Sequence, residues 1–196
     1  MASPRSVASL RIYAVLLSAL VASACVGMRP MPAGGATASP LLAPSALGST
    51  VNASQVLRVA FGDREATLNC AVAVTPDRLT IVGVTAMGMR AFTIKYDGVK
   101  VDAESAPGMP DSLPPERLLN DVQLVYWPLK ALQSKLSGGD WEVSEPIAGT
   151  RRLKRGGRVV AEVHYANADP WSGRVWLANL EFDYTLSIDS QRAESR

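Results

Sequence analysis

Side chains able to do covalent or proton chemistry are few. Among 196 residues there are two cysteines, Cys25 and Cys70, and one histidine, His164. A single histidine excludes most imidazole-based metal sites and leaves little for a Ser-His-Asp relay. Two cysteines supply neither a four-thiolate zinc site nor a disulfide-dense scaffold. His164 stands in Val163-His164-Tyr165 near Asp169, with no serine or cysteine motif pointing to it, and reads as structural. Asp102 and Glu104 share one face of an expected strand, as solvated acids commonly do. The sequence has no G-x-S-x-G, no phosphate loop and no metal-ligand cluster, so it supports no enzyme, no metal and no cofactor. Cys70 falls on the apolar side of an alternating run, the position of a buried, inert thiol. The densest charge is Arg151, Arg152, Lys154, Arg155 and Arg158, around Gly156-Gly157. Such a cluster is either a solvated hairpin tip or a contact for anionic head groups, each base near a charged surface contributing about 1 kcal/mol.

Cys25 has a different context. Met1–Arg11 carries Arg5 and Arg11 and no acid, and Ile12–Val21 is an apolar run too short to span a bilayer, which needs roughly 20 residues. Ala22-Ser23-Ala24-Cys25 then resembles a bacterial lipobox, with Ala22 where Leu is usual and Cys25 as the acylated mature N-terminus. Ala22-Ser23-Ala24 also fits ordinary A-x-A cleavage, which would leave a soluble periplasmic protein and permit a Cys25–Cys70 disulfide. An uncleaved anchor is the third alternative. Export is common to these readings and makes nucleic acid an improbable partner. In bacterial lipoproteins Asp after the acylated Cys signals inner-membrane retention. Val26 here points to the outer membrane. Several acyl chains at about 0.8 kcal/mol per buried CH₂ hold a protein firmly there. The leader also contains two of the 20 basic residues, so the remainder match the 18 acids and the mature chain is formally neutral.

The elements that must position these residues begin after a spacer. Residues 25–53 follow the leader (1–24) and are rich in Pro, Ala, Gly and Ser, with Arg29 their only charge. They read as a linker with an end-to-end distance of roughly 30 Å. From Ser54 to Ser190 the texture is that of one domain, with a tail at 191–196. Strands are expected at Gln55–Phe61, Arg64–Thr75, Arg78–Thr85, Arg90–Tyr96 and Val99–Glu104, the last two joined by the hairpin signal Asp97-Gly98. The pattern resumes at Trp141–Glu145, Thr150–Arg155, Arg158–Tyr165, Gly173–Asn179 and Phe182–Ile188. About ten short antiparallel strands suggest a barrel or strongly curved sheet. Between the two sets, Pro114–Leu136 is helical. Leu118, Val122, Val125, Leu129, Leu132 and Leu136 form one face, and Arg117 and Asp121 are an i,i+4 pair. Pro128 cannot donate to the Leu124 carbonyl, which predicts a kink or two abutting helices.

Several of these segments together resemble a known family. They are Leu79–Val84, Met87-Gly88-Met89, Lys95-Tyr96-Asp97-Gly98, the Pro-led Glu116-Arg117-Leu118-Leu119, and Trp127-Pro128-Leu129 with Leu132. Over roughly residues 64–137 they are similar to the lipoprotein receptor LolB and its periplasmic relatives. They are more similar still to the lipoproteins of domain-of-unknown-function family 3261. The resemblance implies a mainly β fold with a helical insert (α+β), a strongly curved antiparallel half-barrel closed by the Pro-interrupted helices. It also implies an apolar cavity that receives a lipid or acylated ligand, with Leu68, Val72, Ile81, Phe92, Ile94, Leu118, Val122 and Leu132 as inward candidates. LolB uses an exposed apolar loop, and Met87 is the nearest counterpart. Some relatives accompany aryl-polyene pigment pathways, so lipid or lipoprotein placement is the implied role. A non-catalytic assembly subunit with a solid barrel, docking an envelope partner, is the other reading. A hollow interior favours the first and a filled one the second.

Overall fold

The structure, a computed structural model, describes residues 39–106 and 114–193. Cys25 and the leader lie outside the described residues.

Ten antiparallel strands form one sheet. The first five are β1 (Val51–Phe61), β2 (Arg64–Thr75), β3 (Arg78–Thr85), β4 (Arg90–Tyr96) and β5 (Val101–Ser105). The second five are β6 (Trp141–Ile147), β7 (Thr150–Arg155), β8 (Arg158–Tyr165), β9 (Gly173–Asn179) and β10 (Tyr184–Arg192). Each set is a meander, and the two join through β1 and β10, giving the order β5-β4-β3-β2-β1-β10-β9-β8-β7-β6. The free edges, β5 and β6, are therefore consecutive in sequence, and the helical insert connects them. It consists of α1 (Pro115–Tyr126) and α2 (Leu129–Leu136), broken at Trp127-Pro128 as the proline requires.

The sheet must curl around α1. Seven strands separate β5 from β9 inclusively, about 29 Å across a flat sheet at ~4.8 Å per strand. A helix is only about 10 Å wide, yet α1 touches both β5 and β9. The inner face is apolar by alternation. Val72 and Val74 of β2, Leu79 and Ile81 of β3, Val175 and Leu177 of β9, and Leu186 and Ile188 of β10 are buried against Leu118, Leu119, Val122 and Val125 of α1. Phe92 lies directly over Gly83, whose missing side chain makes the room: a Cβ there would sit 2.5 Å from the ring. Of the four tryptophans, Trp127 and Trp171 are core, Trp171 stacking on Tyr126 at 3.8 Å, while Trp176 faces outward.

Several boundaries differ from the sequence reading, β6 among them, which runs on to Ile147. The stretch read as linker is packed from Leu42 onward. The Leu42 N–H donates to Gln123 Oε1 and its carbonyl accepts from Gln123 Nε2, both at 2.8 Å, and Leu42, Pro44 and Leu47 are buried. β1 then begins at Val51. The small residues around these leucines dilute their signal. β10 likewise continues to Arg192. The β4–β5 connection is not a two-residue Asp-Gly turn: Asp97 Oδ1 accepts from the N–H groups of Val99 (2.9 Å) and Lys100 (2.7 Å), and Tyr96 pairs with Val101 across four loop residues.

The C-terminus of α1 is fixed by the sheet. Pro128 leaves the Leu124 carbonyl without its helical donor, and Arg151 of β7 replaces it. Its Nη1 donates to the Leu124 carbonyl at 2.7 Å and the Trp127 carbonyl at 2.8 Å, while Nε and Nη2 hold Glu145 Oε1 at 3.1 and 2.8 Å. The Tyr165 hydroxyl donates to the Val125 carbonyl at 2.7 Å. Orphan carbonyls at a helix end need such partners, and a cation there also complements the helix dipole. Removing Arg151 leaves two inner carbonyls unpaired, at roughly 1–3 kcal/mol each. Arg152, one residue on, faces outward in a partly exposed pair with Glu162, worth roughly 0–1 kcal/mol. Urea unfolding should therefore show Arg151→Ala destabilised by about 2–6 kcal/mol and Arg152→Ala by under about 1 kcal/mol. Equal losses would contradict the capping role.

Candidate functional site

The concave face is filled beneath most of α1 and opens beside its first two turns. A cavity of about 240 Å³ lies there, between α1 and the β6–β9 half of the sheet. Its apolar wall is Leu124, Trp141, Leu153, Val160, Ala161 and Phe182, and its polar wall includes Arg117, Asn120, Asp121, Asn179 and Glu181. Local structure explains why these converge. On α1, residues 117, 121 and 124 form a row beside the fully packed Leu118-Val122-Val125 row. In β8 the pairing slips between Leu153 and Lys154, and the Val160 carbonyl accepts from the N–H groups of Leu180 (2.8 Å) and Glu181 (3.2 Å). That bond pair anchors the β9–β10 turn, and Asn179 Oδ1 accepts from the Phe182 N–H at 3.2 Å, setting the Phe182 ring at the mouth.

Asp121 is the buried acid of the cavity. The Tyr184 hydroxyl donates to its Oδ2, and Asn179 Nδ2 reaches Oδ1 at 3.4 Å and the Tyr184 oxygen at 3.0 Å. Burial pushes its carboxyl up to about 7, against the lowering effect of these donors and of the Arg117 charge. Arg117 stacks on Phe182, its Cζ 3.3 Å from the ring centroid. Its Nη1 is enclosed and meets no hydrogen-bond partner among the described residues. Glu181 is engaged by Arg155 Nη1 at 3.2 Å, and Arg155 lies over the Trp141 ring at 5.2 Å.

The eight inward candidates sit elsewhere. Val72, Ile81, Ile94, Leu118, Val122 and Leu132 are buried core, and Leu68 and Phe92 are half-buried against it. None lines the cavity. Periodicity finds residues that pack, and a cavity is bounded by those that pack incompletely. Arg117 and Asp121, expected as an i,i+4 pair, do not meet: Asp121 accepts from Tyr184 and Asn179 while Arg117 stacks on Phe182. Their charges beside an apolar helix row were nevertheless the visible signal. Asn179, Glu181 and Phe182 carried no such mark.

Most of the basic cluster is engaged in internal pairs. Arg151 is buried under α1, Arg152 pairs with Glu162, Lys154 with Glu142 at 3.4 Å and Arg155 with Glu181. Alternation sends Arg151 and Arg155 inward and Arg152 and Lys154 outward; strands β6 and β8 supply the acids for Arg151, Arg152 and Lys154, and the β9–β10 turn supplies Glu181 for Arg155. Arg158 is exposed at the hairpin. His164 is on the outer face, its Nε2 2.7 Å from Glu162 Oε1. The Arg152 hydrogen bond, and secondarily His164, holds the Glu162 carboxyl below the usual range. Cys70 is a buried free thiol that burial pushes up to about 11. Met87 is exposed in the β3–β4 turn. Among the described residues no group of His, Cys, Asp and Glu could hold a metal ion, and no helix is long and apolar enough to cross a membrane.

Asp121 gives the fold a pH dependence of definite sign. Its unfolded value is near 3.8 and its folded one about 7, so the folded chain keeps a proton that the unfolded chain releases. The stabilisation is complete below about pH 4 and is lost as pH rises through about 7. Asp97, Glu162 and Asp189 are shifted the other way, downward, and have no effect between pH 5 and 8. Denaturant midpoints should fall from pH 5 to pH 8, and Asp121→Asn should flatten that slope. An unchanged slope in the variant would contradict the assignment.

The family model described as "Protein of unknown function (DUF3261)" matches residues 52–192. No curated protein matches the sequence. Among solved structures, a LolA superfamily protein from Nitrosomonas europaea is similar at 10% identity and TM-score 0.43, over 81% of this chain and 90% of that one. A DUF1329 family protein from Desulfovibrio piger is similar at 8% identity and TM-score 0.35, over 76% and 87%. The family match runs from the second residue of β1 to the last of β10, the whole ten-stranded sheet with its helical insert, and the chain belongs to the DUF3261 family.

Proposed function

We propose that this protein is a non-catalytic envelope lipoprotein, anchored in the outer membrane through an acylated Cys25, that binds a lipid or acylated ligand beside α1. The observation carrying this reading is the cavity itself, an apolar wall of six residues facing a small polar set between α1 and the sheet. Binding sites have that composition, mostly apolar with a few placed polar groups. The size restricts the ligand. At about 240 Å³ the cavity exceeds one of about 150 Å³ that accepts benzene. It falls short of the roughly 300–1,000 Å³ typical of drug-sized sites. One short chain or the head of a lipid fits; the several chains of a lipoprotein anchor do not. Placement of a single-chain, lipid-like product, an aryl polyene among them, suits the cavity better than wholesale carriage of lipoproteins.

The assembly-subunit reading draws on the filled part of the interior, where Val72, Val74, Leu79 and Leu119 are fully enclosed. Lipid extraction separates the two. The full chain purified from its native host should yield a co-purifying lipid by mass spectrometry, and should displace a fluorescent fatty-acid probe into solution when that lipid is added back. Neither lipid nor probe binding would leave the assembly role. Cys25→Ser should move the protein out of the membrane fraction. Unchanged fractionation would overturn the anchor.

A further inference from the structure

We infer that the cavity selects a ligand with an anionic head, a carboxylate or a phosphate on an apolar chain, and that Arg117 is the residue that reads it. This rests on the cavity being the lipid site and names the chemistry of what enters it.

A guanidinium has five N–H donors in a fixed plane, and an enclosed polar nitrogen without a partner carries a desolvation cost that native folds rarely leave standing. Arg117 lines the cavity, and its Nη1, itself closed off from solvent, meets no partner among the described residues, so the guanidinium is underpaired where it stands. The side chain is held for the purpose, because Phe182 lies flat against the guanidinium at 3.3 Å and fixes its plane. Arginines of the same sheet are matched differently. Arg58 and Arg174 share Asp189, Arg151 has Glu145, Arg152 has Glu162 and Arg155 has Glu181.

The acids around the cavity do not neutralise Arg117 by contact. Glu181 is committed to Arg155, and Asp121 accepts from Tyr184 and Asn179. Glu116 is exposed at the rim. Among the described residues Arg117 thus stands between an apolar wall and an engaged carboxyl, in an ion pair with neither Asp121 nor Glu181. An amphiphile whose chain lies along Leu124, Leu153 and Val160 would present its acidic oxygens to the Arg117 guanidinium. Guanidinium groups recognise both carboxylates and phosphates through planar, charge-assisted hydrogen bonds.

The test compares three ligands of one chain length in isothermal titration against the purified full chain: octanoate, octyl phosphate and 1-octanol. The expected result is at least tenfold tighter binding of one or both anions than of octanol, with the tighter anion identifying the head. Arg117→Gln should bring the preferred anion down to the level of octanol, and Arg117→Lys should restore part of the preference by keeping the charge. Equal binding of octanol and both anions would overturn the inference while leaving the lipid-binding reading intact. So would a preference that survives Arg117→Gln. Binding of none of the three would overturn both. Circular dichroism on each variant confirms that it is folded, and the wild-type comparison of anion with alcohol decides the matter even if a variant is not.

Discussion

A carbonyl that a proline cannot satisfy organises this molecule. Pro128 ends α1 by withholding the N–H due to Leu124, and Arg151 reaches from β7 to supply it. The same guanidinium takes the Trp127 carbonyl and is balanced by Glu145, so one buried cation couples the helix break, the sheet and the edge strand β6. Tyr165 takes the next carbonyl, and the Tyr126 hydroxyl meets Gln55 and Ser190 on the opposite strands β1 and β10. A helix pinned to both halves of the sheet holds the half-barrel curled.

That pinning sets where the interior is filled. Near the C-terminus of α1, the Leu42–Leu47 segment is bonded to Gln123 and Trp127 and packs on β2 and β3, and Trp127 is wholly enclosed. Toward its N-terminus, α1 meets β6–β9 through Arg117, Asp121 and Leu124, of which the first two are too polar to pack as the leucine row does. The bulge at Val160 and the turn carrying Phe182 keep the sheet from closing on them. The cavity follows from those polar residues, and its polar wall is part of its design.

Most of the fold was legible in the sequence. Strict alternation in Arg64–Thr75, turn residues at Gly156-Gly157, and leucines at helical spacing mark β2, β7–β8 and the helical insert, because backbone period and burial impose those patterns directly. Residues 42–53 were not legible, since two leucines, Leu42 and Leu47, among small residues lack a period and their burial depends on distant partners, Gln123 and Trp127 of the helical insert and strands β2 and β3. The pairing of the basic run Arg151–Arg158 was hidden for a related reason. Charge density is a property of the sequence, but its neutralisation by Glu142, Glu145, Glu162 and Glu181 is a property of strand register. The site residues shared this fate: Arg117 and Asp121 were visible as a pair, whereas Asn179 and Phe182 reach the cavity only through a bulge and a turn.

The central claim is that a ligand enters beside the first turns of α1. Amide and indole chemical shifts of the isotopically labelled protein, followed while a short-chain amphiphile is added, test it directly. The account predicts saturable shifts at Asp121, the Trp141 indole, Asn179 and Phe182, with Val72, Ile81 and Ile94 unmoved. Shifts centred on those three core residues, or none at saturating ligand, would contradict it.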